Sequence, residues 1–149
     1  MRTGRRLFIR GVLAFTALVN LPRTVLAVVW PKNAFGSTVA GEALAELLGT
    51  DQTTPSDKIS LVLPVVAENG AEVPITVKTS LTGVKSINIV VERNPRPLAI
   101  SFEFSPHMLP EVTCRIKMAE TSRVMAVVVT DSGIFSTSRE VTVTIGGCA

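Results

Sequence analysis

Seven short stretches between residues 59 and 145 alternate apolar with polar side chains, and this period of two constrains the fold more than any other feature of the chain. They cover residues 59–66, 73–79, 84–91, 98–104, 112–118, 124–130 and 140–145. Valine and isoleucine dominate their apolar positions, and a branched Cβ suits a pleated surface better than a helix. Stretches of this length and spacing predict an all-β domain, an immunoglobulin-like β-sandwich of about seven strands, although periodicity alone does not set the strand order. Asn69-Gly70 predicts a two-residue hairpin with positive φ at both positions, and Asp131-Ser132-Gly133 a three-residue turn with glycine in the left-handed position. Pro64 and Pro74 interrupt strand-like runs and point to edge strands or bulges. Asn94-Pro95-Arg96-Pro97 reads as a bend between strands, and no internal repeat or low-complexity stretch is present.

Ahead of the strands the period changes. Val39, Ala43, Leu44, Leu47 and Leu48 fall at helical spacing within residues 38–48, with Gly49 as a stop signal, so one short N-terminal helix is predicted. Residues 49–57 read as the linker to the sandwich. The first 27 residues differ again: they hold five arginines and no acid. Gly4-Arg5-Arg6-Leu7-Phe8-Ile9-Arg10 resembles a twin-arginine export motif, and the apolar run over 11–19 that follows is too short to span a bilayer. Val25-Leu26-Ala27 offers residues that a signal peptidase accepts. The expectation is a twin-arginine signal peptide over 1–27, centred on Arg5 and Arg6, that delivers a periplasmic protein with no membrane attachment after cleavage. Residues 28–57 then form the helix and linker, 58–145 the sandwich and 146–149 a flexible C-terminal arm.

The formal charge of +3 belongs to the leader, because residues 28–149 carry ten basic against twelve acidic residues, a net of −2. No cluster of lysine or arginine with interleaved aromatics is left to follow a phosphate backbone, so nucleic-acid binding is not expected.

Chemistry centres on two cysteines. In an oxidising compartment an intramolecular disulfide is the first reading of such a pair. Cys114, however, alternates with Thr113 and Arg115 on the same side as Val112, Ile116 and Met118, which predicts a small buried hydrophobe. Arg115 and Lys117 on the opposite side read as a solvated cationic face. Cys148 lies beyond the last strand, in Gly146-Gly147-Cys148-Ala149. Two glycines free the backbone, and four extended residues reach roughly 13 Å beyond the strand end, enough to present a thiol inside another protein. Three readings stand on these residues. The first is a covalent carrier; the second is an exported immunoglobulin-like interaction module whose tail cysteine forms only an intermolecular disulfide. The third is a thiol-disulfide catalyst pairing Cys114 with Cys148, which lacks Cys-x-x-Cys spacing and a helix N-terminus to lower a thiol pKa. The sole histidine, His107, sits in a proline-bounded loop with no second histidine near it, so no metal site is expected, and no phosphate loop or nucleophile elbow implies a cofactor or an enzyme.

The ending Val141-Thr142-Val143-Thr144-Ile145-Gly146-Gly147-Cys148-Ala149 resembles the C-terminus of the SoxY family, the sulfur-binding subunits of the periplasmic thiosulfate-oxidising (Sox) system, which end in a Gly-Gly-Cys-Gly arm. Trp30-Pro31-Lys32-Asn33-Ala34-Phe35, the segment from Arg115 to Ser122 and the leader are similar to the same family. The resemblance implies a non-enzymatic sulfur carrier with no cofactor, whose Cys148 binds thiosulfate-derived sulfur. It also implies a SoxYZ complex with a SoxZ-like β-sandwich subunit that lacks an export signal. A SoxXA-like haem enzyme would load Cys148, a SoxB-like hydrolase would release sulfate, and a SoxCD-like dehydrogenase, where present, would oxidise the remaining sulfane. The chain departs from the family in closing on Ala149, which shortens the arm and sets the terminal carboxylate beside the thiol.

Overall fold

The computed structural model describes residues 30–145, so the predicted leader and the arm lie outside the described residues. From Pro31 onward the chain folds as one unit. Two helices, α1 (Lys32–Gly36) and α2 (Ala40–Leu48), precede nine strands: β1 (Thr54–Pro55), β2 (Ile59–Val62), β3 (Val66–Ala67), β4 (Val73–Thr79), β5 (Val84–Val91), β6 (Leu98–Glu103), β7 (Glu111–Ile116), β8 (Ser122–Thr130) and β9 (Gly133–Val143). They form the predicted β-sandwich. One sheet runs β1-β9-β8-β5-β6, with β3 also paired to β9, and the other runs β2-β4-β7. All pairings are antiparallel except those of β1 and β3, which lie parallel to β9.

The alternation seen in the sequence is the inner surface of these sheets. Ile87, Ile89, Val91, Val124, Ala126, Val128 and Val141 face Ile59, Leu61, Val73, Ile75, Val77, Val112 and Ile116 across one core. β5 and β8 are buried on both faces, because α1 and α2 lie on the outer face of the larger sheet. There Ala34, Ala43 and Leu44 pack with Val90, Leu98 and Val127 in a second, smaller core. Asn88 is also buried on this face: its Nδ2 donates to Ser86 Oγ at 3.1 Å, and its Oδ1 accepts from Ser101 Oγ at 2.7 Å. Both ends of the amide are thereby satisfied, which keeps the cost of burial low.

Several details differ from the sequence expectations, each for a physical reason. The stretch 59–66 is two strands in different sheets. β2 pairs with β4 and β3 pairs with β9, and Pro64, which has no N–H to give a ladder, sits at the crossing. Pro74 is in the central strand of its sheet, where it faces Arg115 of β7. β2 ends at Val62, opposite Thr76, so at Pro74 the strand has a neighbour on one side only. Asn69-Gly70 makes no hairpin: β3 and β4 do not pair, and positive φ among the described residues is confined to Gly49, Gly83 and Gly133. The asparagine instead caps a turn with its own side chain, Oδ1 accepting the Ala71 N–H at 2.9 Å. At the other hairpin Thr130 pairs directly with Gly133, so the loop is two residues, Asp131 and Ser132, and Gly133 has a φ of 146°. α2 begins at Ala40 with Val39 as an extended N-cap, and ends on Gly49 with φ 78°. Within the stretch read as a linker, Thr54 and Pro55 form β1 beside Phe135 and Ser136.

Candidate functional site

The last described residues are held from both sides before the tail begins. β3 lies parallel to the end of β9, with Val66 opposite Thr142 and Ala67 opposite Val143. The Thr142 N–H donates to the Val65 carbonyl at 3.0 Å and the Thr144 N–H to the Ala67 carbonyl at 3.1 Å, while Thr144 Oγ1 donates to the Glu68 carbonyl at 3.2 Å. From the β8 side, Thr121 Oγ1 accepts the Val143 N–H at 2.9 Å. The final tie is buried Gly70, whose N–H donates to the Ile145 carbonyl at 2.9 Å. Its own carbonyl accepts the Met118 N–H at 2.7 Å, so one glycine joins the end of β9 to the β7–β8 connection. Asn94 braces the same end of the sandwich: its Nδ2 donates to the Lys117 carbonyl at 2.7 Å and its Oδ1 accepts the Ala119 N–H at 2.9 Å.

The tail therefore leaves a root anchored as far as Ile145. Gly146, Gly147, Cys148 and Ala149 follow it in the sequence and lie outside the described residues, as do Arg5 and Arg6. Two residues separate Ile145 from the cysteine, a chain length of at most roughly 10 Å. Around the root, Glu68 and Lys117 are exposed, and Glu120 lies 4.0 Å from Arg93. Three apolar side chains are also exposed there, Val65, Val66 and Ile145.

Cys114 is elsewhere in character. It sits in β7 opposite Ile75, its side chain packs against the main core, and its thiol is free and half-buried. Burial pushes its pKa above the usual cysteine value, the opposite of what a nucleophile needs. Arg115, in β7, and Lys117, one residue past its end, are both exposed with buried Ile116 between them, as expected of a solvated face. His107 is exposed in the loop between β6 and β7, and among the described residues no cluster of three histidine, cysteine or carboxylate side chains could hold a metal. That loop borders a cavity of about 310 Å³ lined by residues including Val84, Phe104, Met108 and Asp131, at the end of the sandwich remote from the root. The anchoring roles of Gly70, Thr121 and Thr144 carry no signal in a period-two pattern, since each bonds to the backbone of a segment distant in the sequence.

Fold and tail together define a small β-sandwich that closes on a cysteine-bearing extension. A family model described as "Sulfur oxidation protein SoxY" matches residues 44–148, a span that includes Cys148. The structure is similar to that of the sulfur carrier protein SoxY from Chlorobium limicola f thiosulfatophilum, at 40% identity and a TM-score of 0.63, over 69% of this chain and 94% of that one. It is also similar to a superoxide reductase (neelaredoxin) from Ignicoccus hospitalis at 14% identity and a TM-score of 0.55, over 61% of this chain and 94% of that one, a likeness of fold alone. No curated protein sequence matches the chain. The chain belongs to the SoxY family of sulfur oxidation proteins.

Proposed function

We propose that this chain is a periplasmic sulfur carrier, exported through its Arg5-Arg6 leader, that binds thiosulfate-derived sulfur covalently on Cys148 and presents it to enzymes without itself catalysing a step. One observation carries the reading: among the described residues the fold ties the backbone down as far as Ile145, through the Gly70 N–H, and Cys148 follows three residues later in the sequence. The two glycines between leave no side chain on the tether. Cys114 makes the complementary case, because its burial suits packing and not exchange.

The loading step balances as a two-electron oxidation. The Cys148 thiol loses its proton, its sulfur forms a bond with the sulfane sulfur of thiosulfate, and two electrons pass to a SoxXA-like haem enzyme. Water then cleaves the bond to the terminal sulfonate. Sulfate and two protons leave and a persulfide stays on the arm, the work of a SoxB-like hydrolase. A SoxCD-like dehydrogenase would oxidise that sulfane further. An unperturbed cysteine is mostly the thiol at neutral pH, so activation to the thiolate falls to the partner's pocket. A leaderless SoxZ-like subunit bound before export suits a twin-arginine route, which moves folded cargo.

Intact-mass spectrometry of protein purified without reductant and then incubated with thiosulfate and the haem enzyme tests the reading. Wild type should gain reducible adducts of thiosulfonate or sulfane sulfur, and Cys148→Ser should gain none while keeping its melting curve. A uniform disulfide-linked dimer with no adducts would instead mark a tail that only cross-links.

A further inference from the structure

We infer that Val65, Val66 and Ile145 form a contact rim at the root of the arm, and that its occupant is the entrance of a sulfur-transferring enzyme whose own rim is apolar. The inference rests on the carrier reading and adds the surface that the enzyme recognises.

Chain length forces the contact. Ile145 is anchored through Gly70 at the end of the described residues, and Cys148 lies three residues on, so chain length alone keeps the thiol within roughly 10 Å of backbone from that root. An enzyme that takes the sulfur into a recessed site uses most of that length as depth, and its entrance then closes onto the residues from which the arm emerges. Beside exposed Glu68, Lys117 and Thr144, those residues include three large apolar side chains. Val65 is 78% exposed, Val66 50% and Ile145 67%. The Val65 carbonyl accepts the Thr142 N–H and Val66 lies opposite Thr142 in the ladder, three residues before Ile145, so all three lie within one arm's length of the root. An apolar surface of this kind gains from burial in proportion to the area covered. A partner that stayed bound over Ile145 would close off the root and hold the arm from exchange. The rim therefore fits a visiting enzyme and not a resident subunit.

The double variant Val65→Ser/Ile145→Ser tests the rim. Both side chains are exposed, so the fold should hold, and a thermal melt checks that it does. Loading by the haem enzyme is followed at increasing carrier concentration, alongside the reaction of Cys148 with a small neutral disulfide reagent and co-elution with the SoxZ-like subunit. The expected result is a rise of tenfold or more in the enzyme's KM for the carrier, with kcat, small-reagent reactivity and co-elution unchanged. An unchanged KM overturns the rim, and loss of co-elution overturns it in favour of a subunit interface. If wild type reacts with the small reagent but is never loaded by enzyme, the carrier reading has failed and the rim falls with it.

Discussion

Of the two cysteines, Cys114 lies in a strand that packs on the core, and Cys148 is the one proposed to carry sulfur. Desolvation raises the pKa of the Cys114 thiol above its ordinary 9.0 because the half-buried strand position disfavours the thiolate. The sign of the linkage follows. A group whose folded pKa lies above its unfolded value contributes stability that is complete below the unfolded pKa and fades as pH climbs through the folded one. Urea unfolding of the wild type should therefore show stability falling above about pH 9, and Cys114→Ala should flatten that decline, whatever its packing cost at neutral pH. In the folded protein at pH 8, alkylation should likewise split into a fast thiol at Cys148 and a slow one at Cys114, with the two rates converging in urea. Equal rates in the folded state would contradict the burial that sets the two apart. The burial of Cys114 was legible in the sequence, because alternation with Thr113 and Arg115 puts it on the apolar side. The role of Gly70 was not, since its two backbone hydrogen bonds go to Met118 and Ile145, 48 and 75 residues away in the numbering of the chain.

Among the elements, the strands read most clearly where both neighbours are strands of the same sheet. β4 (Val73–Thr79) and β5 (Val84–Val91) have the bounds that alternation predicts, because their buried positions are aliphatic without exception on the inner face. β9 (Gly133–Val143) is less legible. Its first half carries Ser136, Thr137, Ser138 and Arg139, and Ser136 is buried only because its hydroxyl meets that of Thr53 at 2.8 Å. A polar side chain buried by a partner 83 residues away gives no periodic signal. The five-residue α1 is likewise too short to show a helical period. At the end of the sandwich remote from the arm, the β4–β5 and β8–β9 turns are interlocked: Gly83 has φ 65°, its carbonyl accepts the Asp131 N–H at 3.0 Å, and Asp131 pairs with Lys85 at 2.9 Å. A Cβ at Gly83 would stand 2.5 Å from Asp131 Oδ2. Gly83→Ala should therefore cost more than the roughly 1–2 kcal/mol of left-handed backbone strain, because Asp131 must also give way. Urea unfolding measures the loss, and a variant as stable as wild type would mean that the turn relaxes without strain.

At the scale of the whole molecule, β9 sets the distance between the two ends of the sandwich. Its 11 residues run from the Gly133 hairpin to the arm root, a span of roughly 30–35 Å at the rise of an extended strand. Lys85 lines the cavity at the hairpin end, whereas Lys117 adjoins Met118, whose N–H is tied through Gly70 to Ile145. Because the chain from Ile145 to Cys148 spans at most roughly 10 Å, its length allows the thiol to reach the Lys117 end and not the Lys85 end of its own chain. A heterobifunctional reagent with a spacer of one or two bonds between its thiol-reactive and amine-reactive groups should convert this geometry into a map. In dilute protein, peptide mass spectrometry should find Cys148 joined to Lys117 and not to Lys85. Raising the protein concentration should add only cross-links between chains, which mixing isotopically labelled with unlabelled protein identifies. An intrachain link from Cys148 to Lys85 would place the thiol at the wrong end of the sandwich, and a carrier whose substrate arm folded back over that distance could not offer its sulfur at the root.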